Sequence, residues 1–80
     1  MNSLDLPFKE VPIGAYFCAY ADIIFDEDVP IPIILRKESE ETLVEISPEN
    51  IKWKEGRCNP YFLVSKYFNT LEEAVKELKL

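Results

Sequence analysis

Between Ile13 and Phe25 the chain reads IGAYFCAYADIIF, and its odd positions Ala15, Phe17, Ala19, Ala21, Ile23 and Phe25 are all apolar. Tyr16, Cys18, Tyr20, Asp22 and Ile24 occupy the alternate positions. Successive side chains of an extended backbone point to opposite sides, so this spacing predicts one long strand with a core face and a half-wet, aromatic face. Such a strand belongs at the centre of a small sheet, and the rest of the chain is expected to cover it.

The chain has 80 residues, room for one domain, and at that length folding buries roughly 60–65% of the surface the unfolded chain exposes. With 48% hydrophobic residues and only two glycines, the composition is that of a folded protein and not of a disordered tail. No repeat, low-complexity tract or linker interrupts it, so residues 1–80 are expected to form a single compact domain.

Ahead of the long strand, Leu4, Leu6 and Phe8 alternate, but Pro7 and Pro12 exclude a paired central strand and predict an extended lead-in or edge segment. Val11-Pro12-Ile13-Gly14 is a turn, because Pro fixes φ and Gly permits a positive one. The segment Phe8-Lys9-Glu10-Val11-Pro12-Ile13-Gly14-Ala15-Tyr16-Phe17 is similar to the F-x-x-(aliphatic)-x-x-G-x-x-F opening of small SH3-like barrel domains in short phage and bacterial proteins. The similarity is confined to residues 8–17 and carries no catalytic motif. What it implies is a partly open barrel.

Asp26-Glu27-Asp28-Val29-Pro30 ends the long strand, and Ile31–Lys37 resumes it, with Ile31, Ile33 and Leu35 on one face and Pro32, Ile34 and Arg36 on the other. Lacking an N–H, Pro32 places the start of this strand at a sheet edge or bulge, with full pairing from Ile33 onward. Thr42–Ile46 alternates again, Ser47-Pro48-Glu49-Asn50 suits one helical or 3₁₀ turn, and Ile51–Lys54 reads as a short strand. Glu55–Pro60 reads as a loop. Tyr61–Phe68, rich in β-formers on both faces, reads as a central strand buried on both sides. Thr70-Leu71-Glu72-Glu73 is a capping box, after which Leu71, Ala74, Val75 and Leu78 recur at helical spacing. The expected fold is α+β and mainly β: a small antiparallel sheet of four to five strands, open or curled into a partly open SH3-like barrel, with one C-terminal amphipathic helix.

Several chemistries are excluded by composition. There is no histidine, so Ser-His-Asp and Cys-His arrangements cannot form. Two glycines cannot build a phosphate-cradling loop, and two cysteines without histidine cannot supply a structural zinc site. Asp26, Glu27 and Asp28 lack the glycine and distal glutamate of a calcium loop. No enzyme activity and no cofactor are expected. The opening MNSLDLPFKE has neither a basic region nor an apolar run, and no stretch approaches the length of a membrane span. A cytoplasmic setting with Cys18 and Cys58 as free thiols follows as the expectation.

Charge points to a partner. The net charge is −6, and it is uneven: Met1–Asn50 carries eleven acidic against three basic residues, Ile51–Leu80 four acidic against six basic. Direct nucleic-acid binding is not expected from such a chain, because that affinity comes largely from clustered Lys and Arg. A larger protein with a basic surface is the natural complement. The candidate docking residues are Tyr16, Tyr20 and Asp22 on the second face of the long strand, Asp26, Glu27 and Asp28 in the acidic loop, and Trp53, which is otherwise a core residue or, beside Lys52 and Lys54, a stacking platform. The expected function is a non-enzymatic regulator or inhibitor, such as a phage-encoded protein that blocks a nucleic-acid-handling enzyme by presenting carboxylates where phosphates bind. A constitutive accessory subunit held by an aromatic and apolar patch is the alternative, and a homo-oligomer built by edge pairing around Ile33–Lys37 is a third reading.

Overall fold

The computed structural model describes residues 5–78; Leu4, first of the N-terminal alternation, lies outside them. In chain order, β1 (Leu6–Pro7) and a 3₁₀ turn (Phe8–Glu10) precede β2 (Tyr16–Tyr20) and a single helical turn, α1 (Ala21–Ile24). Then come β3 (Pro32–Lys37), β4 (Thr42–Ile46), β5 (Lys52–Arg57), β6 (Leu63–Val64), β7 (Tyr67–Phe68) and α2 (Leu71–Leu78).

The alternating stretch therefore yields a strand of five residues, not one running from Ile13 to Phe25. Ala21, Ile24 and Phe25 stand at i, i+3 and i+4, a helical spacing concealed within the period-two pattern. These three pack on the core, while Ile23, expected to point inward, is 62% exposed. The Ala21 N–H donates to the Ile31 carbonyl at 2.9 Å, and the Phe25 N–H closes the helical turn on the Ala21 carbonyl at 2.8 Å. At the other end the turn before β2 forms as expected, with Gly14 at φ 94° and the Ala15 N–H on the Pro12 carbonyl at 3.1 Å.

β2 to β5 form an antiparallel meander and β7 returns to the free side of β2, giving the sheet order β5–β4–β3–β2–β7. The two outer strands are not paired with each other, so the sheet is open and not a closed barrel. β1 and β6 make a separate two-stranded ladder. The fold is α+β and mainly β, with the C-terminal helix where the capping box predicts it.

Three expectations are corrected. β3 is an interior strand, paired to β2 from Pro32 and to β4 from Ile34, so it has no edge to offer a second copy. Tyr61–Phe68 is not one central strand but two two-residue strands in different sheets, and Tyr61, Leu63 and Tyr67 are exposed. β5 continues through Gly56 where a loop is expected, because Gly56 and Arg57 pair with Leu43 and Thr42 of β4; Phe25 covers that glycine so closely that a Cβ there would lie 2.7 Å from its Cε1.

Both faces of the sheet are covered. Phe17, Ile33, Leu35 and Leu43 face a core closed by Phe8 and Val11 of the N-terminal segment, where Phe8 meets Phe17 edge-on at 5.9 Å. Ile34, Val44 and Ile46 face a second core closed by Ala74 of α2, with Tyr16 and Cys18 packed against it. The helix thus covers the face of β2 that bears Tyr16 and Cys18, and the N-terminal segment covers its all-apolar face. An eight-residue helix is marginal in water. Packing of its apolar stripe holds it, with Ala74 fully buried and Leu71, Val75 and Leu78 partly buried against the second core.

Lys37, the last residue of β3, follows Ile33 and Leu35 onto the first core and is 2% exposed. Its Nζ donates to the carbonyls of Val11 at 2.7 Å, Phe8 at 2.8 Å and Lys9 at 3.2 Å. All three ammonium hydrogens find acceptors at the C-terminal end of the 3₁₀ turn, where peptide dipoles present their negative ends. The N-terminal segment is pinned to the sheet through this one side chain.

Candidate docking face

The candidate residues separate. Tyr16 is half-buried against the second core, and the Arg36 guanidinium lies 6.0 Å from the centre of its ring, so it is structural. Asp22 sits in α1 and not on a strand face shared with the tyrosines, and its Oδ1 is buried without a hydrogen-bond partner among the described residues. Asp26, Glu27 and Asp28 are exposed as expected. Glu27 is held by Lys54 at 3.1 Å, and Asp26 adopts φ 56°, a left-handed value that Asp tolerates better than most residues.

Tyr20 and Trp53, by contrast, reach solvent at the same end of the sheet. Tyr20 is the last residue of β2, opposite Pro32 in the ladder. Trp53 is presented by an irregularity: Glu45 pairs with Lys54 and Ile46 with Lys52, which leaves Trp53 with no counterpart on β4. A bulge of this kind re-aims a side chain. The indole is 65% exposed instead of joining a core.

Two depressions adjoin there. One, of about 330 Å³, is lined by Ile31, Pro32, Ile46, Pro48 and Trp53, with Leu78 of α2 and the carboxylates of Glu45 and Glu49. The other, of about 420 Å³, is lined by Cys18, Tyr20, Glu77 and again Pro32 and Leu78. Pro32 and Leu78 form the ridge between them. No lysine or arginine among the described residues lines either depression.

Its electrostatics match its composition. Burial, with a smaller contribution from the Glu27 carboxylate, raises the Glu45 pKa above the usual carboxylate value, while Lys54 acts in the opposite direction. Cys18 at the floor of the second depression is pushed up to about 11 by burial and then by the charge of Glu77, so it is a neutral thiol and no nucleophile at neutral pH. Its Sγ donates to the Ala74 carbonyl at 3.6 Å. A further depression beside Glu38, Glu55 and Arg57 is a poorer candidate, because Arg57 is engaged by Glu41 at 2.8 Å and Glu38 by Arg36 at 2.6 Å.

No family model, curated protein or solved structure matches this chain.

Ile31, Pro32, Glu45, Glu49 and Leu78 belong to this face and are absent from the sequence-derived set. A signal for Ile31 exists: Pro30 and Pro32, neither of which has an N–H, bracket it and keep it out of a regular ladder. Glu45 carries no such signal, since the pairing of β4 with β5 brings it beside Trp53, whereas Glu49 lies in the turn between those strands. Among the described residues no three Asp, Glu or Cys side chains converge as a metal site, and no helix is long and apolar enough to cross a membrane.

Proposed function

We propose that this chain is a non-enzymatic, cytoplasmic protein-interaction module that docks the Tyr20–Trp53 end of its sheet on a basic surface of a larger protein, acting as a regulator or inhibitor of a nucleic-acid-handling partner. The observation that carries the reading is the joint exposure of Tyr20, Ile31 and Trp53, at 51%, 51% and 65%, around adjoining apolar depressions edged by Glu45, Glu49 and Glu77. Apolar and aromatic groups at the centre with charge at the rim is the anatomy of protein interfaces. The acidic loop at Asp26–Asp28 runs directly into Ile31 and extends that rim.

Aromatic anchoring also favours a second reading, a constitutive accessory subunit held mainly by the apolar centre. Salt distinguishes the two. Affinity capture from the source cell lysate at low and high salt, with Asp28→Lys/Glu49→Lys and Tyr20→Ala/Trp53→Ala variants, tests both. A regulator on a basic surface loses its partner at high salt and on charge reversal by about tenfold or more. A subunit held by the apolar centre survives salt and is lost with the aromatic pair. Capture that ignores both variants overturns the docking face itself.

A further inference from the structure

Five of the ten aromatic rings lie under one of the chain's own cations. Lys37 lies over Phe8, Arg36 over Tyr16, Lys54 over Phe25, Lys9 over Tyr61 and Lys66 over Phe68, all within 6.0 Å of the ring centre. Among the described residues, Phe17, Tyr20, Trp53, Phe62 and Tyr67 receive no such partner. Of these, Tyr20 and Trp53 line depressions together with carboxylates engaged in no ion pair among the described residues, Glu77 for the first and Glu45 and Glu49 for the second. Each depression therefore offers an apolar wall, an aromatic ring and negative charge.

We propose that the two depressions receive two arginine side chains of one extended partner segment. The inference rests on the docking face described above and names what fills it. An arginine carries a methylene stem that packs on Ile31, Pro32 and Pro48, and a planar guanidinium that stacks on an indole while its edge donates to a carboxylate. Lysine meets the charge but neither the stacking nor the paired hydrogen bonds. The Pro32–Leu78 ridge common to both depressions sets the two guanidinium sites side by side, so a single segment spans them. Lys52 and Lys54 flank Trp53 in sequence but line neither depression, and Lys54 is occupied by Glu27.

Trp53 is the only tryptophan in the chain, so its fluorescence reports on the first depression directly. The full-length protein is titrated with an acetylated, amidated peptide of alternating arginine and glycine, with its lysine counterpart and with its citrulline counterpart, which keeps the planar shape but removes the charge and replaces one donor nitrogen by a carbonyl oxygen. Saturable change is expected with the arginine peptide, binding about fivefold weaker with lysine, and none with citrulline. By calorimetry, Glu49→Gln and Tyr20→Ala each weaken the arginine peptide about fivefold, and Glu72→Gln leaves it unchanged. Equal response to arginine and citrulline peptides, or wild-type affinity in Glu49→Gln and Tyr20→Ala, overturns the proposal. So does self-association through this face in sedimentation, lost on Trp53→Ala, which assigns the depressions to a second copy. If a captured partner depends on Tyr20 and Trp53 while no arginine peptide binds, the docking reading stands and this inference alone fails.

Discussion

The ammonium of Lys37 sits 2.8 Å from the carbonyl oxygen of Phe8 and 4.7 Å from the centre of the same residue's ring. One residue of the N-terminal segment thus offers the buried charge both a hydrogen-bond acceptor and the negative face of an aromatic ring. Replacing Lys37 by Ala or Met removes the donor from three carbonyls and leaves at least the two buried bonds, to Phe8 and Val11, unmade. Destabilisation of about 3 kcal/mol is expected, a large share of the 5–15 kcal/mol typical of a small domain. Urea unfolding followed by circular dichroism measures it; a midpoint unchanged in Lys37→Met would show that the carbonyls find other partners.

Gly56 and Phe25 form a second tight pair, and the effect of Gly56→Ala follows from it. The added methyl would meet the ring at 2.7 Å, inside any relaxed contact, so a loss of about 1–3 kcal/mol is expected. In a Phe25→Leu background the same substitution should cost much less. A thermodynamic cycle with no coupling between the two positions would count against the contact.

The thiols give a prediction in pH. Burial pushes Cys18 and Cys58 up to about 11, against an ordinary value of 9.0, with Glu77 adding to the shift at Cys18 and Lys37 opposing it at Cys58. Both folded-state values are raised, so the neutral thiols cost nothing below about pH 9, and stability is lost as pH climbs from there through about 11. Alkylation by iodoacetamide at pH 8 should run roughly a hundredfold slower in the folded protein than in urea. Mass spectrometry of the alkylated chain reads the ratio, and near-equal rates would mean that the thiols are not held as described.

The cap of α2 yields a smaller effect. The Thr70 hydroxyl accepts the Glu73 N–H at 3.2 Å and lies 3.3 Å from the Glu73 carboxylate. Thr70→Ala should lower stability by about 1 kcal/mol, and Thr70→Ser should restore most of it. Thermal unfolding of the two variants is sufficient to check this.

Much of the architecture is legible in the residues, for reasons that are local. The capping box and the 71/74/75/78 spacing specify α2, alternation specifies β3 and β4, and Pro12 with Gly14 specifies the turn before β2. What is not legible depends on distant parts of the chain. The stretch after Tyr20 satisfies a strand period and a helix period at once, and the tie is broken by the Ala21 bond to Ile31. Lys37 is buried because carbonyls up to 29 positions away converge on it, and nothing next to it in sequence announces them. At the docking face, Tyr20 and Trp53 are recognisable as aromatics in alternating segments. Their company is only partly so: Glu45 comes beside Trp53 through the pairing of β4 with β5, while Glu49 lies in the turn between those strands.

The covering of both sheet faces has a bearing on how this chain tolerates change. Ile33, Leu35 and Leu43 serve one core while Ile34, Val44 and Ile46 serve the other, so β3 and β4 are a wall common to two rooms. Residues that touch one room only, such as Phe8 or Ala74, can be exchanged with consequences confined to that side. Along the common wall a change of volume on either side is transmitted to both, and there the sequence has the least freedom to drift.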